Sequence, residues 1–295
     1  MMSQIDHYLN ENKEIVESLL KQVIDEKNTP KQLHDSIYYS LLAGGKRLRP
    51  ILMFASYDAF KQNDRHKTYE TASALEMIHS YSLIHDDLPA MDDDDYRRGK
   101  LTNHKKYDEA TAILAGDALL TESFSLIAND PLLSSDEKVY LIKELSQAAG
   151  SAGMVGGQIL DMEGENQSLS VTQLEKIHEL KTGKLIEFAV IAGAYLAQGE
   201  AMNEKALRNY AYYLGLIFQV QDDILDVIGD PEKLGKPVGS DEESDKSTYP
   251  NLLGLEGAIK HKEKYIALAE EALVEAGAKN SYLMDLMHHF ANRDH

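Results

Sequence analysis

Carboxylates dominate the chemistry this chain could do. The stretch His85-Asp86-Asp87-Leu88-Pro89-Ala90-Met91-Asp92-Asp93-Asp94-Asp95-Tyr96-Arg97-Arg98 sets six Asp residues ahead of two Arg residues. A second cluster, Asp222-Asp223-Ile224-Leu225-Asp226, lies far downstream. Asp222 and Asp226 are four apart and Asp223 and Asp226 three apart, a spacing that makes them neighbours on a helix surface. Carboxylates crowded this way repel one another unless a cation lies among them. Oxygen-only donors suit Mg²⁺, which usually takes one or two carboxylates together with phosphate oxygens. Phe218, Val220, Ile224, Leu225, Val227 and Ile228 surround the cluster, which argues against a merely solvated acidic face.

The first cluster needs a turn. His79 and Asp86 are seven apart and share a helix face. On a continuous helix Asp92 would point away from Asp86, but Pro89 disfavours helical geometry at Leu88. The chain can then curl so that Asp92 faces Asp86. Arg97-Arg98 beside the acid run fits charge balance around a bound anion, and a local salt bridge explains the pair equally cheaply. Ile84-His85-Asp86-Asp87 and Val220-Gln221-Asp222-Asp223 echo one another, which suggests two helices bringing their carboxylates face to face across a cleft. Basic residues sit at Gly44-Gly45-Lys46-Arg47-Leu48-Arg49-Pro50, where glycines allow close backbone approach and Lys46 and Arg49 offer a point charge and a fork for phosphate. Lys181-Thr182-Gly183-Lys184 lacks the first glycine and the strand of a nucleotide-binding phosphate loop.

Helices must carry these groups. The chain has 295 residues, 43% of them apolar, enough for a substantial core. Its net charge of −19 and pI near 4.9 make it a poor nucleic-acid binder. It has no Cys, which removes disulfides, thiolate metal sites and cysteine nucleophiles. The start carries no apolar signal region, and the longest apolar run, 188–197, falls short of the roughly 20 residues that a spanning helix needs. These features predict a soluble, cytoplasmic protein. Apolar residues recur at three- and four-residue intervals and predict helices over 5–24, 32–43, 51–60, 70–86, 108–129, 136–158 and beyond, 171–198, 204–228 and 255–275, with a short tail helix. No alternating pattern is long enough for a sheet. The expectation is all-α: one domain over 1–295, a bundle of about ten core helices. The polar segment 229–250, with Lys233, Lys236 and Lys246, is long enough to be a loop that closes over a site.

The motifs, in this order, resemble the short-chain trans-prenyl diphosphate synthases, most closely the bacterial farnesyl diphosphate synthases. They are GGKRLRP at 44–50, HSYSLIHDDLPAMD at 79–92 with RRG at 97–99, GGQILD at 156–161, KTG at 181–183, FQVQDDILD at 218–226 and GKPVGSD at 235–241. The resemblance covers nearly the whole chain. It implies the isoprenoid synthase fold around a central cleft, a homodimer, and a reaction joining an allylic diphosphate to isopentenyl diphosphate.

By the same resemblance, Asp86, Asp92 and Asp222 hold three Mg²⁺ (Mn²⁺ is the alternative), assisted by Asp87, Asp223 and Asp226. Arg97, Lys181 and Lys236 contact the allylic diphosphate. Lys46, Arg49, His79 and Arg98 bind isopentenyl diphosphate. Thr182 and Gln219 lie beside the allylic cation, and Gln158 and Asp161 orient Lys181. Tyr81, about 7.5 Å along the helix from Asp86, closes the hydrocarbon pocket at fifteen carbons, although Ser82 is the residue in line with Asp86. Asp93 stands where many relatives carry Asn, and Asn292-Arg293-Asp294-His295 is less basic than usual. Three rival readings differ in what they require. A metal phosphohydrolase would need His85 at the metal. A terpene cyclase would leave Lys46, Arg49 and Arg98 idle. A non-catalytic subunit would usually lack one acid motif.

Overall fold

The computed structural model describes residues 3–25, 28–165, 167, 169–229 and 247–293. In chain order the main elements are α1 Gln4–Asp25, α2 Lys31–Leu41, α3 Leu48–Asp58, α4 Tyr69–Asp86, strands β1 Tyr96–Arg97 and β2 Lys100–Leu101, and α5 Asn103–Lys106. They continue with α6 Glu109–Asn129, α7 Ser135–Ala149, α8 Met154–Gly164, α9 Val171–His178, a π-helical turn Glu179–Gly183, and α10 Lys184–Gln198. The chain finishes with α11 Glu204–Ile228, α12 Tyr249–Glu275 and α13 Tyr282–Ala291. The architecture is all-α, as the periodicity predicts. Local chemistry sets several boundaries. Asp108 caps α6 by accepting the Thr111 N–H at 2.8 Å. Ser170 and Gln173 form a capping box at the start of α9. Gly254, in the left-handed region at φ 71°, kinks α12, so the straight part begins where the apolar pattern resumes at Leu255.

Two expectations changed. The helix predicted over 136–158 is interrupted, because α7 ends at Ala149 and a turn, with the Gly153 N–H on the Gly150 carbonyl at 3.0 Å, restarts the chain as α8. A two-residue hairpin, β1–β2, follows the first acid run. Arg98 and Gly99 both have positive φ, 54° and 74°, which is the requirement of the tight primed turns that match strand twist.

The chain divides into two compact units, Met1–Phe54 with Asp64–Ile142, and Ala55–Asn63 with Lys143–His295. In the first unit α4 is the central helix: Thr71 to Ile78 is buried without interruption. It packs along α6, with α1 and α2 beside it. In the second unit α11 plays that part, packed along α12 and flanked by α10 and α13. Among the described residues α6 is the one helix long and apolar enough, by length and composition, to cross a membrane. Polar residues interrupt it, so it forms no continuous apolar run. It carries Asp117 and Glu122 and is a packing partner of α4.

Candidate active site

The first acid motif lies at the C-terminal end of α4. After Asp86 the chain curls, and the Asp92 N–H donates to the Asp86 carbonyl at 2.9 Å. Residues six apart in sequence thus become hydrogen-bonded neighbours, as Pro89 predicts. Asp93, at φ 50°, sits in the left-handed part of this turn, and its N–H donates to the Leu88 carbonyl. Asp86 is part-buried and Asp92 exposed. Asp87 is buried and receives Arg97 at 2.6 Å. Burial raises its carboxyl above the usual range while Arg97 opposes the rise. Asp94 also reaches Arg97, at 3.4 Å, and Lys105 lies 2.8 Å from Asp95.

A cluster of cations lies in the same unit. The hairpin sends its two arginines to different partners: Arg97 to Asp87, and Arg98 to the Gly44 carbonyl. A Cβ on Gly45 would lie 2.6 Å from the Arg98 guanidinium, which would have to shift, and Gly45 is at φ 119°, a backbone conformation that favours glycine. Arg47 is buried and bonds to Glu76 at 2.7 Å and to the Leu41 carbonyl at 2.6 Å. Arg49 carries a buried Nε–H that meets no acceptor among the described residues. Burial holds the His79 imidazole well below its ordinary value, and Arg49, Arg98, Arg47 and Arg97 push it the same way. His79 is therefore neutral at pH 7. Lys46 is exposed on the same loop.

Tyr81 and Ser82 stand on α4 before the acid motif. Tyr81 is 6% exposed, and burial, aided by the Asp86 charge, pushes its phenol up to about 12. The Ser82 hydroxyl donates to the His79 carbonyl. The His85 ring is engaged at 3.1 Å with the Ile113 carbonyl.

In the second unit the π-helical turn, a form often found at functional positions, presents Lys181 and Thr182. Lys181 Nζ donates to Asp161, one of the two α8 residues expected to orient it, at 2.6 Å. Thr182 Oγ1 donates to Gln219 Oε1 at 3.0 Å, joining the KTG motif to α11. Three residues further along α11, the Asp222 side chain is 45% exposed and bound by Arg293 at 2.5 Å. Asp223 is buried and accepts the Tyr249 N–H at 2.9 Å. Asp226 is also buried. Lys236, Lys233 and Lys246 lie outside the described residues, as does most of the predicted 229–250 loop.

Among the described residues, no three His, Asp or Glu side chains converge into a ready-made cation cage. The donor set fits Mg²⁺ without one, because this ion commonly takes one or two carboxylates and leaves its other positions to water and phosphate. Asp222 already holds a cationic group, the Arg293 guanidinium.

Comparison with known proteins gives the family. Residues 30–286 match the polyprenyl synthetase family. The chain is 47% identical to a farnesyl diphosphate synthase of Bacillus subtilis (strain 168), over 100% of both chains. It is also 47% identical to one from Geobacillus stearothermophilus, over 99% of this chain and 98% of that one. A geranyltransferase from Legionella pneumophila has the same fold, with a TM-score of 0.85 at 35% identity, over 98% of this chain and 97% of that one. The chain belongs to the polyprenyl synthetase family.

As a polyprenyl synthetase the chain keeps both acid motifs, and the isoprenoid synthase fold accounts for its helices. Two contributors escape a reading by motif, and a third has a packing role that its motif does not show. Glu76 is a lone acid on an otherwise apolar stretch of α4, and its proximity to Arg47 has no sequence signal. Arg293 reaches Asp222 from the far C-terminal end of the chain; its guanidinium also lies 4.1 Å over the Phe218 ring. Gly157 lets α8 approach the π-helical turn, since a Cβ there would fall 2.2 Å from the Lys181 nitrogen. The doublet Gly156-Gly157 was its only visible trace.

Proposed function

We propose that this polyprenyl synthetase condenses isopentenyl diphosphate with dimethylallyl and geranyl diphosphate to form farnesyl diphosphate. The full-length likeness to farnesyl diphosphate synthases carries the reading, and the contacts of Lys181 with Asp161 and of Thr182 with Gln219 support it. The allylic C–O bond breaks heterolytically, leaving a carbocation and diphosphate. The double bond of isopentenyl diphosphate attacks the cation, forming the new C–C bond, and a proton leaves to the departing diphosphate. Thr182 and Gln219 offer neutral oxygens, which stabilise positive charge by their dipoles without capturing it as an anionic carboxylate would. Lys181, held by Asp161, offers a fixed positive charge to the leaving group; charge stabilisation aimed at the transition state is commonly the largest catalytic contribution.

Mg²⁺ is the cofactor of this reading: Asp86, Asp92 and Asp222, with help from Asp87, Asp223 and Asp226, would hold it, and it would supply Lewis-acid neutralisation of the leaving diphosphate. Arg97 and Lys236 contact the same allylic diphosphate. Lys46, Arg49, His79 and Arg98 take the diphosphate of isopentenyl diphosphate, and the cation cluster of the first unit supports that assignment. Engagement of His85 with the Ile113 carbonyl disfavours the phosphohydrolase alternative. The same reading makes the protein a cytoplasmic homodimer. Ile113 and Leu114, 43% and 59% exposed on α6, are apolar residues that a second copy would cover.

The deciding experiment incubates the protein with isopentenyl diphosphate and geranyl diphosphate, with and without EDTA, and measures product length. Farnesyl diphosphate that disappears with EDTA supports the reading; no condensation overturns it, and a product of twenty carbons points instead to a geranylgeranyl synthase. Tyr81→Ala should shift the product to twenty carbons or more, because a buried neutral phenol would be replaced by a methyl group. An unchanged profile removes Tyr81 as the pocket floor.

His79 provides a pH prediction. A histidine whose folded value is held well below the ordinary 6.5 stays neutral from pH 6.5 to 8. The Michaelis constant for isopentenyl diphosphate in His79→Gln should follow the same pH profile as the wild type across that interval. A step near pH 6.5 present only in the wild type would show that His79 binds as the cation.

A further inference from the structure

We infer that Glu76 is a positioning residue for the anion site of the first unit, acting through Arg47 rather than on a ligand. The inference rests on the reading above, that Lys46, Arg49, His79 and Arg98 bind isopentenyl diphosphate. Arg47 lies between Lys46 and Arg49 in sequence, yet it points into the protein, with its side chain fully buried and that of Glu76 3% exposed. Its backbone is in the left-handed region at φ 53°, where a residue with a side chain persists only if its surroundings hold it there.

Three anchors do so. The Glu76 carboxylate takes one guanidinium nitrogen at 2.7 Å, the Leu41 carbonyl takes another at 2.6 Å, and the Arg47 carbonyl accepts the Ile51 N–H at the start of α3. With Arg47 turned inward in this conformation, its two neighbours take their places from the anchored backbone. Lys46 is exposed, and Arg49 is part-buried and close enough to His79 for its charge to act on the imidazole. The charge of Glu76 also acts directly on Arg49, favouring its protonated form against burial and against repulsion from Arg98. One buried carboxylate thus holds the loop's shape and lets like charges gather beside it.

The direction of the effect separates this role from a simple field effect. If Glu76 were only a nearby negative charge, removing it would raise the positive potential and tighten anion binding. If it fixes Arg47, removing it frees the loop and weakens binding despite the added positive charge. Glu76→Gln should raise the Michaelis constant for isopentenyl diphosphate about tenfold or more, with kcat within about threefold and the constant for geranyl diphosphate unchanged, as expected when an interaction with one substrate common to its ground and transition states is lost. Calorimetric titration of isopentenyl diphosphate in EDTA should show the same weakening, with Glu76→Asp recovering part of it.

Because Glu76→Gln leaves a buried guanidinium without its partner, the pair variant Arg47→Met/Glu76→Gln is measured beside it. Removing both charges commonly preserves a fold that removing one disrupts. The pair variant should regain the melting temperature but keep the raised Michaelis constant. Tighter or unchanged binding of isopentenyl diphosphate in Glu76→Gln, or wild-type binding in the pair variant, overturns the inference while leaving the proposed activity standing. A wild type that neither binds isopentenyl diphosphate nor condenses it overturns both.

Discussion

Asp222→Asn will lower kcat for condensation by about 10³-fold, the size expected when one preorganised electrostatic contributor to a charge-separating step is removed. The substitution is close to isosteric and the side chain is half-exposed, so the fold should survive with little change in melting temperature. Asp223→Asn should behave differently. That carboxylate is buried and accepts the Tyr249 N–H at the start of α12, so its loss should appear as instability as well as lost activity.

The contact between Asp222 and Arg293 supplies the control. Asp222 could matter because it holds a cation for the reaction or because it anchors the C-terminal segment, whose backbone is also tied to α11 through Gln221 donating to the Arg293 carbonyl at 2.7 Å. Arg293→Gln removes the ion pair and leaves the carboxylate. A fall in kcat of less than about tenfold would assign the main part to the carboxylate itself, since an ion pair of this kind carries only modest energy when one partner is open to water. Equal losses in the two variants would assign Asp222 to anchoring and count against its role in ionisation.

The parts of the site that were legible in sequence share a physical property: each depends on local spacing. The curl that returns Asp92 to Asp86 follows from a proline three residues beyond a helix end. The helix frame follows from apolar residues a few positions apart. The contact of Lys181 with Asp161 was anticipated only through the family resemblance, although both ends lie in recognisable motifs. What stayed hidden was long-range or carried by the backbone. Glu76 meets Arg47 across 29 positions and Arg293 meets Asp222 across 71, with no pattern linking either pair. The hairpin at 96–101 is too short for an alternating signal, so spacing alone did not show that Arg97 turns to Asp87 and Arg98 to the Gly44 carbonyl. The turn between α7 and α8 was missed because helical periodicity continues on both sides of it.

Gly157→Ala will both destabilise the second unit and slow the reaction. The π-helical turn is held between two helices, and each contact has the same construction. On α8, Gly157 admits the turn's backbone, and Asp161, four residues later on the same face, receives Lys181. On α11, Gly215 admits Gly183, and Gln219, four residues later, receives Thr182. A Cβ at 157 would sit 2.2 Å from the Lys181 nitrogen and 2.7 Å from its Cα. These are backbone atoms, so no rotamer change relieves the overlap; α8 or the turn must move. Overpacking of this kind costs about 1–3 kcal/mol or more. A displacement of about 1 Å at a catalytic group can lower the rate by about 10²-fold. At Gly215 the same methyl would meet the Gly183 Cα at 3.0 Å, a milder conflict that a few tenths of an ångström relieves. The expected result is therefore graded: Gly157→Ala loses stability and about 10²-fold in kcat, and Gly215→Ala loses distinctly less of both. Equal effects, or an active and stable Gly157→Ala, would show that the position of Lys181 is not set by this close approach.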